Sequence, residues 1–138
     1  MLERLLHRAL DEHGIEDVDV ISAGVAANDN DHASPHAITT MQDYGIDLSD
    51  HRSRNIDHVD LPRVDLFVTM SERHAALLRS LDIDGAMIVV AAGDKGGVSD
   101  PFGGELADYQ TAAISLNKVA QDFAIAAKES NGTRRHTR

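Results

Sequence analysis

No cysteine occurs among the 138 residues, which excludes disulfides, cysteine-based metal sites and any thiolate mechanism carried by this chain itself. No stretch approaches the ~20 consecutive apolar residues of a membrane-spanning helix, and the N-terminus lacks the charged-then-apolar pattern of a secretion signal. On those terms the cytoplasm is the simplest compartment. Positive charge is also scarce: 13 Lys and Arg stand against 23 Asp and Glu, a formal net charge of −10. Nucleic acid and anionic membrane are therefore not expected as main partners, since each normally requires a basic face. Internal repeats and low-complexity segments are missing as well. The length predicts one domain with an ordinary hydrophobic core.

What is present alternates between helical and strand-like patterns. Leu2, Leu5, Leu6, Ala9 and Leu10 recur along one helical face, and Gly14 stands where a glycine would end that helix. Val18, Val20 and Ile21 form a short β-branched run that ends in Ser22-Ala23-Gly24, followed by a solvated loop through Asn28, Asp29, Asn30 and Asp31. Ser34 before Pro35 is a helix-start signal, with Ala37, Ile38, Met41 and Tyr44 facing inward before Gly45 stops the helix after about three turns. Residues 46–64 read as a long connection interrupted by Pro62. Leu66-Phe67-Val68-Thr69-Met70 then predicts a buried strand, and Ser71 caps a helix whose His74, Leu77, Leu78 and Leu81 share a face. Met87-Ile88-Val89-Val90-Ala91 has the unbroken apolar character of a parallel strand covered on both sides. The glycine-rich stretch 93–97 with Lys95 lacks the Walker spacing and reads as a flexible loop. Leu106, Tyr109, Ala113, Leu116, Ala120, Phe123 and Ala127 step by three and four along a last, amphipathic helix. From Lys128 the chain turns polar, so residues 1–128 are expected as the domain and 129–138 as a flexible tail.

Alternating helices and apolar strands predict an α/β domain with a parallel sheet, whose site lies beyond the carboxyl ends of the strands. Ser22, Met70 and the loop carrying Asp100 all fall at such ends. In Asp100-Pro101-Phe102-Gly103-Gly104, Pro101 keeps Asp100 out of the α region and the glycines let the backbone turn into the last helix. A carboxylate held this way can hand a proton to a leaving group, with Phe102 as an apolar wall; the same string also suits a turn that merely ends a loop. The eight histidines raise a metal reading, but His32 and His36 flank the helix start expected at Pro35 and carry no carboxylate-histidine signature. No metal or other cofactor is expected.

Five segments in this order resemble the low-molecular-weight protein phosphatases, in particular the bacterial branch with the protein arginine phosphatases. They are Ser22-Ala23-Gly24-Val25, Ala33-Ser34-Pro35-His36-Ala37, Gly45-Ile46-Asp47-Leu48-Ser49-Asp50-His51-Arg52-Ser53-Arg54, Asp65-Leu66-Phe67-Val68-Thr69-Met70 and Ser99-Asp100-Pro101-Phe102-Gly103-Gly104. The resemblance runs from Met1 to about Ala127 and implies a three-layer parallel-sheet fold acting on a phosphorylated protein or peptide. It implies that Asp100 is the general acid and base, that Phe102 lines the substrate pocket, and that Ser22 and His51 support a phosphate-binding loop. The family carries that loop as Cys-x-x-x-x-x-Arg-Ser-Pro after a first strand, whereas Met1-Leu2-Glu3-Arg4-Leu5-Leu6 looks like the helix that follows it.

Two functions are consistent with this pattern. One is a phosphotyrosine or phosphoarginine phosphatase, N-terminally truncated and inactive as this chain because strand, nucleophile and phosphate arginine are absent. The other is a degenerate, non-catalytic relative that binds a partner through the remaining surface. Ser22, Ser99 and Thr69 are the hydroxyl nucleophiles that could be proposed, but each needs an adjacent base to act at neutral pH. Loss of a strand from inside the sheet would leave backbone groups near Val20 and Leu66 unpaired, a route to a homodimer.

Overall fold

The computed structural model describes residues 1–138 except Ala26, Asp82, 84–86, 92–96 and 137–138, and only the backbone of 131–136. The glycine-rich loop with Lys95 thus lies outside the described residues apart from Gly97. Helix α1 spans Leu2–Glu12 and buries Leu5, Leu6, Ala9 and Leu10, the face its spacing predicts. It closes in a Schellman turn: the Ile15 N–H donates to Leu10 O at 2.9 Å and the Gly14 N–H to Asp11 O at 3.0 Å. Ile15 is itself buried beneath that turn.

Helix α2, Pro35–Gln42, starts as expected: Ser34 Oγ accepts the Ala37 N–H and Pro35 occupies the first turn. Strand β1, Leu66–Thr69, leads into helix α3, Glu72–Arg79, whose first turn is capped by Ser71 Oγ accepting the His74 N–H. Strand β2, Met87–Val90, lies parallel to β1 with Leu66 opposite Met87 and Thr69 opposite Val90. Helix α4, Leu106–His136, closes the chain and packs on α1 and α2. The core is the seam between these helices: Leu5, Ala9 and Leu10 of α1, Met41 of α2, and Tyr109, Ala113, Leu116, Ala120 and Ala124 of α4. Alanines at 113, 120 and 124, all fully buried, let the helix backbones approach closely while α1 and α2 supply the larger side chains.

Four details differ from the sequence reading. The run Val18, Val20, Ile21 forms no strand; Val18 and Ile21 are exposed and only Val20 packs against the core. β-Branched residues favour an extended backbone, but a strand also requires a hydrogen-bonded neighbour. Strand β2 is covered on one face only, with Met87 65% and Val89 45% exposed, so the unbroken apolar run overstated its burial. On α3 the buried residues are Ala75 and Leu78, whereas Leu77 and Leu81 face outward. Finally, α4 runs on as helix to His136, past Ala127 where the apolar spacing ends, since adding one residue to an existing helix is far easier than nucleating one.

The connection 46–64 holds two short 3-10 turns, Ile56–His58 and Leu61–Arg63, the second with Pro62 in its first turn. It also ties down the loop after Ser22. The Gly24 N–H donates to Arg54 O at 2.9 Å, the Ile56 N–H to Gly24 O at 3.0 Å, and the Asn30 N–H to Ser53 O at 2.9 Å.

Candidate active site

Asp100 reaches its position through the chain that leaves β2. Gly97 forms an antiparallel bridge with Ser71, and the Val98 N–H donates to Met70 O at 2.8 Å. A side chain cannot be accommodated there: a Cβ on Gly97 would stand 2.3 Å from Met70 O, and its φ is +108°. The segment 97–100 is therefore anchored at the carboxyl end of β1, where ligands bind in open parallel sheets.

From that anchor the chain makes a tight turn. The Phe102 N–H donates to Asp100 Oδ1 at 3.0 Å, which orients the carboxyl. Gly104 N–H closes the turn on Pro101 O at 2.8 Å, and Asp108 Oδ2 accepts the Glu105 N–H at 2.9 Å. Asp108 thus caps the start of α4 and holds the end of the Asp100 loop. A Cβ on Gly104 would collide with this arrangement, 2.6 Å from Asp108 Oδ2 and 2.9 Å from Pro101 O.

A cleft of about 420 Å³ lies along this turn, lined by residues 97–102, Gly104, Asp108, Thr111, Ala112 and Ser115. Asp100 and Phe102 of the sequence-predicted site share it, and Ser99 lines it too. Phe102 is 82% exposed rather than packed in the core. The sequence reading missed Asp108, Thr111 and Ser115. Their signal was present as polar residues three to four apart on α4, beside the apolar stripe that carries Tyr109, Ala113 and Leu116.

The other two predicted residues lie outside the cleft lining. His51 is half-buried beside α1, its Nδ1 3.3 Å from Glu3 Oε2, while Arg4 bonds Asp50 Oδ1 at 3.2 Å. Burial pushes the His51 imidazole below its ordinary value of 6.5; Glu3 opposes that shift, and the Met1 amino group and Arg4 reinforce it. Ser22 is exposed at the head of the loop that Gly24 fastens to Arg54. Farther along that loop Asp29 accepts the Asn55 N–H at 2.9 Å and meets His58 Nδ1 at 2.7 Å. The backbone N–H of Asn55 and then His58 hold Asp29 below the usual carboxylate range, and Asp29 in turn raises His58. Of the three hydroxyls weighed as nucleophiles, Thr69 is buried and donates to Ser71 O at 3.1 Å.

Comparison with known proteins gives one consistent result. The protein-arginine-phosphatase of Bacillus subtilis is 29% identical over 129 residues, covering 90% of this chain and 85% of the relative. The probable low molecular weight protein-tyrosine-phosphatase EpsP of Ralstonia solanacearum is 26% identical over 120 residues, 86% of this chain and 79% of its own. Among solved structures, a mutant of YwlE from Bacillus subtilis superposes with a TM-score of 0.82 at 27% identity, covering 92% of this chain and 88% of that one. The low molecular weight protein tyrosine phosphatase of T. tengcongensis does so with a TM-score of 0.78 at 28% identity and the same coverage. The family model for low molecular weight phosphotyrosine protein phosphatases matches residues 1–132. With nearly the whole chain matched and the helices and parallel strands superposing on solved members, this protein belongs to the low molecular weight phosphotyrosine protein phosphatase family.

Proposed function

We propose that the chain serves in removing phosphate from a phosphorylated protein side chain, phosphoarginine in preference to phosphotyrosine, with Asp100 as the proton donor to the leaving atom. The observation that carries this reading is the Asp100 turn: an acid fixed by the Phe102 N–H at 3.0 Å, at the carboxyl end of a parallel sheet, in a cleft whose wall is a single exposed aromatic. One ring followed by glycines suits a slim side chain better than a second aromatic would. The arginine phosphatase relatives support that preference. Phe102 contacts the substrate; Ser22 and His51 support the phosphate-holding groups; no metal or other cofactor takes part. The cytoplasm is the compartment, and no helix among the described residues is long and apolar enough to cross a membrane.

Because residues 1–138 contain no cysteine, this chain cannot form the thiolate phosphoenzyme of the family. Asp100 does not substitute for it. General acid catalysis supplies about 10²- to 10⁴-fold, a small part of what phosphate-ester hydrolysis requires. We therefore expect residues 1–138 alone to show no turnover of phosphotyrosine or phosphoarginine peptides above buffer, and to act alone only as a binding module. The experiment is to assay this chain beside a version extended by any in-frame upstream sequence that encodes Cys, five residues and Arg. The extended protein should turn over phosphoarginine faster than phosphotyrosine, and Asp100→Asn should lower its rate by about the same general-acid factor. Robust hydrolysis by the cysteine-free chain, lost in Asp100→Asn, would overturn the reading, as would a clear preference for phosphotyrosine.

A further inference from the structure

The Asp100 turn and the last helix are joined through a single peptide plane. The Pro101–Phe102 peptide presents its N–H to Asp100 Oδ1 at 3.0 Å and its C=O to the Gly104 N–H at 2.8 Å. A peptide unit is planar, so swinging it to release one of these bonds releases the other. The orientation of the Asp100 carboxyl therefore depends on where Gly104 stands. Gly104 is in turn placed by Asp108, in the first turn of α4. Asp108 Oδ2 accepts the Glu105 N–H at 2.9 Å, and the Asp108 N–H donates to Glu105 O at 3.0 Å. This is the half of a capping box in which a side chain of the first turn reaches back to the residue that begins the helix. The same oxygen lies against Gly104, where a Cβ would stand 2.6 Å from it. Asp108 is exposed and lies outside the apolar core, so replacing it leaves the packing of α4 on α1 and α2 intact.

We propose that Asp108 is the positioning residue of the proton donor: through the Glu105 N–H and Gly104 it fixes the Pro101–Phe102 peptide, and through that peptide the Asp100 carboxyl. The proposal deepens the phosphatase reading and rests on it for the role of Asp100 as the acid. It adds a second carboxylate whose part is to hold the first one still, by way of the backbone. A donor held in one orientation is what proton transfer to a leaving atom requires, since the acid must stand within hydrogen-bond reach of that atom.

The test reads backbone amide signals of isotope-labelled chain 1–138 by NMR and needs no turnover. In the parent the Phe102 amide signal should move between about pH 7 and 3 as Asp100 takes up its proton, and Asp100→Asn should abolish that movement. Asp108→Ala should remove most of it and make the Gly104 amide exchange about fivefold faster, the size of one capping bond. Asp108→Asn, which keeps an oxygen for the Glu105 N–H, should restore both. A lower melting temperature in Asp108→Ala with the Phe102 amide still following Asp100 would make Asp108 a helix cap and nothing more, and would overturn the proposal. Failure of Asp108→Asn to restore the response would do the same. The parent also gives a reading at neutral pH that needs no variant: the Gly104 and Glu105 amides should exchange through one shared opening, with equal protection. A Gly104 amide that stays protected after Glu105 has exchanged would separate the turn from the cap and refute the positioning role. None of these outcomes depends on hydrolysis, so the proposal can fail while Asp100 remains the acid. Failure of the acid reading would show instead as an extended enzyme whose turnover ignores Asp100→Asn.

Discussion

A single backbone position fixes where the acid goes. Gly97 touches the end of β1 so closely that any Cβ meets Met70 O at 2.3 Å, and the loop to Asp100 starts from that contact. Gly97→Ala combines an unfavourable φ with a collision against backbone, so it should cost about 2 kcal/mol or more in chemical denaturation and disturb the cleft. A variant with the parent's midpoint would show that the loop can pull away from β1 freely. His51 governs a second residue-scale property. Its folded-state affinity for a proton is depressed below the ordinary value of 6.5 by burial, against the pull of Glu3. The unfolded chain then takes up the proton first, so stability contributed by His51 is complete above about pH 6.5 and declines as pH falls through that value. His58 works in the opposite sense: Asp29 raises it, so its contribution is present below its unfolded value and fades as pH rises through the raised one. Melting curves between pH 7.5 and about 5 should thus show a decline that His51→Gln reduces; an unchanged decline would assign it to other groups.

At the scale of elements, two serines start two helices by the same device. Ser34 Oγ accepts the Ala37 N–H and Ser71 Oγ accepts the His74 N–H, each at 3.3 Å. Replacing either with alanine should cost about 1 kcal/mol, and replacing it with aspartate should recover most of that loss, because a carboxylate can serve as the same acceptor. Equal denaturation midpoints for Ser71→Ala and the parent would mean that β1 and Glu72 hold the start of α3 without the cap. The sequence announced both helices well, since a hydroxyl followed by a helical apolar pattern is a local signal. It misjudged which side of α3 is buried because His74, Leu77, Leu78 and Leu81 share a broad stripe, and only contact with β1 and β2 selects Ala75 and Leu78 as the inner edge.

For the whole molecule, the sheet is the unusual part. Among the described residues β1 and β2 pair only with each other, while Val18 and Ile21 remain exposed on an extended segment without a ladder. Open strand edges invite pairing with another chain. We propose that residues 1–138 form a homodimer through these edges, against the mutual repulsion of two chains of net charge −10. Light scattering should find a dimer that grows with concentration and with added salt, which screens the repulsion. A compact monomer at every concentration, melting in one cooperative transition, would refute this.

Taken by itself, the sequence determined the helices, because caps, glycine stops and three-to-four spacing act over a single turn. It also showed that residues 1–138 carry no thiol, and it singled out Asp100 and Phe102 because Pro101 and the following glycines restrict the backbone locally. The tertiary structure decided what depends on residues far apart in the chain. Val18, Val20 and Ile21 have strand composition, but a ladder needs a neighbour that no local pattern supplies. Met87 and Val89 look buried in the sequence, yet burial depends on what packs above them. Asp108, Thr111 and Ser115 become part of a cleft only because Gly97 brings the Asp100 loop from the end of β1 to the first turns of α4.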